Sequence, residues 1–175
     1  DQQDAERRKR IEELLERGYG CCALRDPQMA RCVVDTWERF EPERYNLLAW
    51  VVMPNHVHVM VHVRQGWELG RMVQSWKSFT GKRLKALFPH ACADGEFWKR
   101  EYWDRFIRDE THFRNAVAYI HQNPVKAGLV TSPDEWPYLG PPSACSETDQ
   151  VPEEAPTIAA NVAGVTPDIG RPPSP

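Results

Sequence analysis

The sequence contains no apolar run near the ~20 residues that a bilayer-spanning helix requires, no Cys-x-x-Cys pair, no secretory leader and no internal repeat. The first absence excludes a membrane-spanning helix. Its five cysteines (Cys21, Cys22, Cys32, Cys92 and Cys145) are odd in number and scattered. That argues against a disulfide framework or a thiolate zinc site, and places the chain in a reducing cytoplasm. Net charge is small as well: 22 Lys+Arg against 25 Asp+Glu leave −3, a balance that, read whole, speaks against nucleic acid. The chain does not open with methionine, which reads as either an engineered form or a fragment. What it does have is 175 residues, 41% of them hydrophobic, enough for one core and one domain with appendages.

The balance conceals an uneven distribution. Residues 141–175 hold five acids (Glu147, Asp149, Glu153, Glu154, Asp168) against the single base Arg171, with eight of the fifteen prolines. No periodicity runs through them, which predicts a disordered, acidic, proline-rich tail. Residues 64–108 carry ten bases against five acids, interleaved with Trp67, Trp76, Phe79, Phe88, Phe97, Trp98, Tyr102, Trp103 and Phe106. Bases mixed with aromatics suit a groove that neutralises phosphates and stacks bases. The same composition equally describes solvated helix faces around core aromatics.

Periodicity organises the rest. Ile11, Leu14 and Leu15 form one stripe and predict a helix over 1–18 closed by Gly18, and Tyr19 to Leu24 reads as a short strand. Asp26-Pro27 reads as an N-cap with proline at the first helical position. The helix it opens places Ala30, Val33, Val34, Trp37 and Phe40 at helical spacing and ends near Glu41-Pro42. Tyr45 to Met53 has the composition of a buried strand, and Pro54-Asn55 breaks it. His56 to Val63 then alternates strictly, with four valines on one face and His56, His58, Met60 and His62 on the other. A helix over Leu69 to Phe88 buries Met72, Trp76, Phe79, Leu84 and Leu87. Phe97 to Arg108 gives short strands or an ordered loop. Glu110 to Gln122 forms a last helix on Phe113, Ala116, Val117 and Ile120, ended by Pro124 because the residue before proline leaves the α region.

His56-Val57-His58 is the sharpest local feature, since residues i and i+2 on a strand share a face and both imidazoles reach one ion. Two half-exposed strand histidines would give the same pattern. His62 lies on that face but too far along the strand to join, and is read as structural. Near residue 120, Tyr119 shares a helical face with both Gln122 and Asn123. Two imidazoles and one amide oxygen leave open positions on a divalent ion for phosphate oxygens and water. Such an ion polarises a phosphodiester while a tyrosine attacks phosphorus.

Four motifs in order, Pro54-Asn55-His56-Val57-His58, Trp76-Lys77-Ser78-Phe79-Thr80, residues Glu101 to Glu110 and Tyr119 to Val130, closely resemble the REP-associated tyrosine transposases, the single-tyrosine branch of the HUH endonucleases. The resemblance covers residues 19–140. It implies an α+β, ferredoxin-like sandwich, an antiparallel sheet with helices packed on it. The parts are an N-terminal helical segment (1–18), a catalytic domain (19–140) and the tail (141–175). It also implies a nuclease and strand transferase that cuts single-stranded DNA near palindromic REP hairpins, through a 5′-phosphotyrosine and a 3′-hydroxyl. Tyr119 matches the nucleophile, and His56 and His58 match two ligands of a divalent ion, Mg2+ or Mn2+. Asn123 matches the third ligand position, with Gln122 the second choice. The partner is hairpin DNA, the assembly a monomer or homodimer, with no membrane involved.

DNA contacts are expected at Lys77 and Thr80, three residues apart on one helix, and at Lys82, Arg83, Arg105, Arg108 and Lys126. Packing of Trp76 and Phe79 is the commoner explanation for that helix, ion pairing with Asp104 and Asp109 accounts equally for Arg105 and Arg108, and Lys126 either activates the phenol, touches phosphate or solvates the helix end. One departure stands out: the family's basic opening and Val-Thr-Phe-Arg-Leu type strand have no match before Gly18, so either that first edge strand is missing or the chain is truncated. Two other readings remain: a hairpin-binding protein of the same fold with little turnover, and an unrelated His-x-His hydrolase using water.

Overall fold

In the computed structural model, which describes residues 2–90, 97–100, 102–140 and 157–163, the Ile11/Leu14/Leu15 stripe forms helix α1 (Gln2–Glu16). Gly18, at φ 78°, closes it: its N–H donates to the Leu15 carbonyl at 2.9 Å, and that of Tyr19 to Leu14 at 3.1 Å. A left-handed residue of this kind is tolerated best without a Cβ. Tyr19 to Leu24, expected as a strand, joins no sheet; it leads into a 3-10 turn at Ala23–Arg25, pinned by Leu24 N–H on the Pro54 carbonyl at 3.0 Å. Asp26 caps helix α2 (Pro27–Glu38) as expected, its carboxylate accepting from the N–H groups of Gln28 and Met29 at 2.8 and 3.3 Å. A cap of this kind stabilises a helix by ~1 kcal/mol.

Strands β1 (Tyr45–Val52) and β2 (His56–Val63) pair antiparallel about the tight turn at Pro54-Asn55. The register shifts between Leu47 and Ala49. Tyr45 and Leu47 therefore face the same side as Trp50 and Val52, which explains why β1 reads as a continuous apolar run rather than an alternation. Helix α3 (Leu69–Leu87), strand β3 (Trp103–Phe106), helix α4 (Glu110–Lys126), and strands β4 (Leu139–Gly140) and β5 (Thr157–Ala163) follow. The sheet order is β3-β5-β2-β1-β4, with every pair antiparallel. At Gly140 a Cβ would stand 2.6 Å from the Trp50 ring, so the β4 edge needs glycine there. This is an α+β fold with helices on both faces.

Two further expectations are corrected. Helix α4 does not stop before Pro124 but runs to Lys126. The proline removes one donor near the last turn, and the turn is completed by Ala127 N–H on Asn123 O and Leu129 N–H on Pro124 O, both at 3.0 Å. The tail expected to lack structure contributes β5, seven residues paired with His56 to His62 of β2, so the sheet extends past residue 140. The rest of that tail, 141–156 and 164–175, lies outside the described residues. The strand sought ahead of Tyr19 has no counterpart in the helical residues 2–16; beside β2, on the side away from β1, stands β5, inside the sheet rather than at its edge.

Two cores flank the sheet. On one face Val57, Val59, Val61 and Val63 pack with Val33, Val34 and Trp37 of α2 and Met72, Val73, Trp76 and Leu84 of α3. Tyr45, fully buried there, donates its hydroxyl to Trp37 O at 2.7 Å and accepts from Trp76 Nε1 at 3.1 Å, so the phenol is satisfied. Phe79 and Leu87, expected in this core, are 42% and 51% exposed. On the other face Ala49, Val51, Met53, Met60 and Ile120 form a smaller core with Phe113, Ala116 and Val117 of α4.

Candidate metal and nucleophile site

The second face carries the histidines. Alternation along β2 turns His56 and His58 toward α4, where they are 0% and 4% exposed. Their Nε2 atoms lie 3.1 Å apart with rings at 90°. Burial pushes the His56 pKa well below its ordinary value, with His58 adding to the effect. His58 is lowered to about 4, first by burial and then by Lys126. Both rings are therefore neutral at physiological pH, the form in which imidazole ligates metal. His62, 8% exposed, lies further along the same face.

Helix α4 brings Tyr119 against this pair, its ring 5.5 Å from that of His58 at 82°. One turn on, Asn123 is fully buried: its Nδ2 donates to Tyr119 O at 3.1 Å, while its Oδ1 has no hydrogen-bond partner among the described residues. Gln122, the alternative ligand, points to solvent. Helical continuity through Pro124 is what holds Asn123 at this station. Lys126 is exposed, its Nζ 4.4 Å from the centre of the Tyr119 ring.

The residue types fit a divalent cation. Two neutral imidazoles meet at their Nε2 atoms, and a buried amide oxygen with an unused lone pair lies one helical turn from the tyrosine beside them. Buried acceptors are nearly always paired, so an orphan in such surroundings is a ligand-type feature. Among the described residues no cluster of three His, Cys, Asp or Glu side chains forms; the third donor here is an amide.

Sequence reasoning missed the other half of the site. The Tyr119 hydroxyl donates to the Glu12 carboxylate and lies 3.4 Å from Glu16 Oε1. These glutamates stand one turn apart on α1 and cover the phenol. Its pKa is raised, first by burial, then by Glu12 and Glu16, with Asn123 pulling the other way. An acidic i,i+4 pair is commonplace on helices, and only its tertiary placement gives it meaning. Asn55 was legible as part of a motif but not as a junction: it is 1% exposed and bonds both α1 and His56.

The expected DNA-contact residues do not converge. Thr80 is buried, its hydroxyl donating to Trp76 O at 2.6 Å and accepting from Trp98 Nε1 at 2.7 Å, so its hydrogen bonds are made inside the fold. Lys77 donates to the carbonyls of Lys99 and Arg100 at 2.8 and 3.3 Å, and burial lowers its pKa to about 8. Lys77 and Lys82, with Lys85, Lys99, Arg100 and Tyr102, line an open groove of 590 Å3 on the α3 side, across the sheet from Tyr119. Arg83, Arg105 and Arg108 are exposed, the last two on and beside β3. Only Lys126 stands at the tyrosine.

The sequence and the fold have counterparts among known proteins. The chain is 33% identical over 111 residues to the REP-associated tyrosine transposase of Escherichia coli, covering 63% of this chain and 62% of that protein. It is 26% identical over 107 residues to a putative REP-associated tyrosine transposase of Haemophilus influenzae, covering 54% and 57%. It therefore spans less than two thirds of the length of either relative. A solved structure of a REP-associated tyrosine transposase bound to a REP hairpin matches with a TM-score of 0.54 at 25% identity, covering 69% of this chain and 67% of that one. Residues 31–123 match the family model described as Transposase IS200 like. That match takes in more than half of the sequence, and the chain belongs to the IS200-like transposase family.

Proposed function

We propose that this protein is a metal-dependent endonuclease and strand transferase that cuts single-stranded DNA near a palindromic hairpin through a 5′-phosphotyrosine intermediate. The observation that carries this reading is the placement of Tyr119 against a buried, neutral imidazole pair with Asn123 one turn away. The names of the relatives and the hairpin in the structural neighbour support the substrate class.

In this reading the Tyr119 oxygen attacks phosphorus, the new O–P bond forms as the bond to the 3′-oxygen breaks, the phenol gives up its proton and the leaving oxygen takes one up. His56, His58 and Asn123 would hold the divalent ion, Mg2+ or Mn2+, which when bound would supply Lewis-acid polarisation of the phosphate. Lys126, over the phenol ring, favours the phenolate electrostatically, whereas Glu12 and Glu16 oppose it. Because the intermediate keeps the phosphoester bond energy, the same residues rejoin strands. The catalytic unit is residues 19–140 with β5 added. Lys82, Arg83, Arg105 and Arg108 serve as outlying phosphate contacts, and Lys77 braces the groove wall.

A second reading, hairpin binding with little turnover, is favoured by one observation: the Tyr119 hydroxyl is engaged by Glu12 and held in its neutral form. Incubation with a hairpin oligonucleotide carrying a single-stranded 5′ extension, with Mg2+ or Mn2+, separates the two on a denaturing gel. A covalent adduct is expected, lost in Tyr119→Phe and His56→Ala. Cleavage without an adduct would point to water as nucleophile, and binding without cleavage to the second reading.

A further inference from the structure

Asn55 occupies the turn between β1 and β2, immediately before the first histidine, and is 1% exposed. Its Nδ2 lies 2.9 Å from the carbonyl of Leu15 and 2.8 Å from that of Tyr19. Carbonyl oxygens only accept, so this end of the side chain is the NH2 group, and the orientation of the amide follows from its neighbours. The other end, Oδ1, is then an acceptor 2.8 Å from His56 Nδ1. An acceptor at that distance requires the hydrogen on Nδ1. In a neutral ring this leaves Nε2 as a bare lone pair, and Nε2 faces His58 Nε2 at 3.1 Å.

We infer that Asn55 is a positioning residue: clamped by two backbone carbonyls of the α1 C-terminal region, its amide fixes His56 in the Nδ1–H tautomer and so presents Nε2 to the site. In the metal-free protein the Nε2–H of His58 donates to this lone pair. Metal occupancy asks for a tautomer change at His58 and for none at His56. The orienting partner of a ligating histidine typically alters metal affinity by 10–100-fold when removed. Here that partner is itself oriented by the chain leaving α1, which couples the N-terminal helix to the ligand pair. The metal part of this inference rests on the proposed function; the tautomer does not.

The test is long-range 1H–15N correlation NMR on the imidazoles of the metal-free full chain near neutral pH, together with Mn2+ titration followed by EPR. The expected result is an Nδ1-protonated His56 and an Nε2-protonated His58 in the wild type. In Asn55→Ala the His56 signals should shift to mixed tautomers and Mn2+ affinity should fall ~10-fold or more. Asn55→Asp, which keeps an acceptor for Nδ1 and removes both donors, should retain the Nδ1 proton of His56 while loosening amide-exchange protection at Tyr19. An Nε2-protonated His56 in the wild type overturns the inference, as does an Asn55→Ala protein with wild-type tautomers and affinity. The wild-type measurement needs no variant, so an unfolded Asn55→Ala does not shelter the idea. A wild type with the expected tautomers but no Mn2+ binding would support the role of Asn55 and sink the metal reading instead.

Discussion

On one side of β2, Val57, Val59, Val61 and Val63 are at most 4% exposed against α2 and α3; on the other, His56 and His58 are buried equally deeply against α4. The valine face makes no polar demand, and hydrocarbon packing alone satisfies it. Every ring nitrogen on the histidine face needs a partner, because a buried polar group without one is costly. At His56, Asn55 and the neighbouring imidazole answer that need. Equal burial therefore hides different work: the first face supplies stability, and the second holds two imidazoles neutral and side by side.

Substitutions should separate the faces. The largest effect is expected for Tyr119→Phe, which removes the oxygen proposed to attack: adduct formation on a hairpin substrate should vanish while the thermal midpoint moves little. Acid comes next. Because the folded-state pKa of His58 is about 4 against an unfolded value near 6.5, the folded protein binds fewer protons between those values. Stability is complete above about pH 6.5, declines as pH falls, and has lost of order 3 kcal/mol from this group below about pH 4. Urea titrations of the metal-free protein across that range should show the decline, and His58→Ala should make it shallower, with His56 supplying the remainder.

Val59→Ala, on the opposite face, should cost about 2 kcal/mol by urea unfolding and leave adduct yield per folded molecule unchanged. A Val59→Ala protein that lost activity without losing stability would break the division between faces. The smallest effect belongs to Glu12→Gln. Removing one of the two carboxylates that raise the Tyr119 pKa should speed adduct formation a few-fold at neutral pH, with a slower rate marking Glu12 as a proton acceptor instead.

The legible parts were those written in local periods. Strict alternation over His56–Val63 announced both faces of β2, and the Asp26-Pro27 cap and the Gly18 closure depend only on neighbours in the chain. Errors arose where a distant partner decided. Phe79 and Leu87 have helical spacing yet face outward, because α3 presents Met72, Val73, Trp76 and Leu84 to the sheet. Pro124 reads as a helix end, but one lost donor near the final turn costs little when Gly128 and Leu129 close the turn behind it. Thr80 reads as a phosphate contact, but a buried hydroxyl between Trp76 and Trp98 has its hydrogen bonds already. Residues 157–163 look featureless among prolines and acids, and become a strand because the backbones of β2 and β3 offer them ladders on both sides.

Two imidazoles on one strand face and a tyrosine one helical turn from an asparagine are consequences of spacing alone, since strand and helix periods are set by backbone geometry. That the two groups meet, that Glu12 and Glu16 cover the phenol, and that Asn55 ties α1 to His56 depend on residues up to 107 positions apart. No local period carries such information. Contacts of that range are settled by which apolar faces bury each other, and the chemistry of the site follows from how those faces dock.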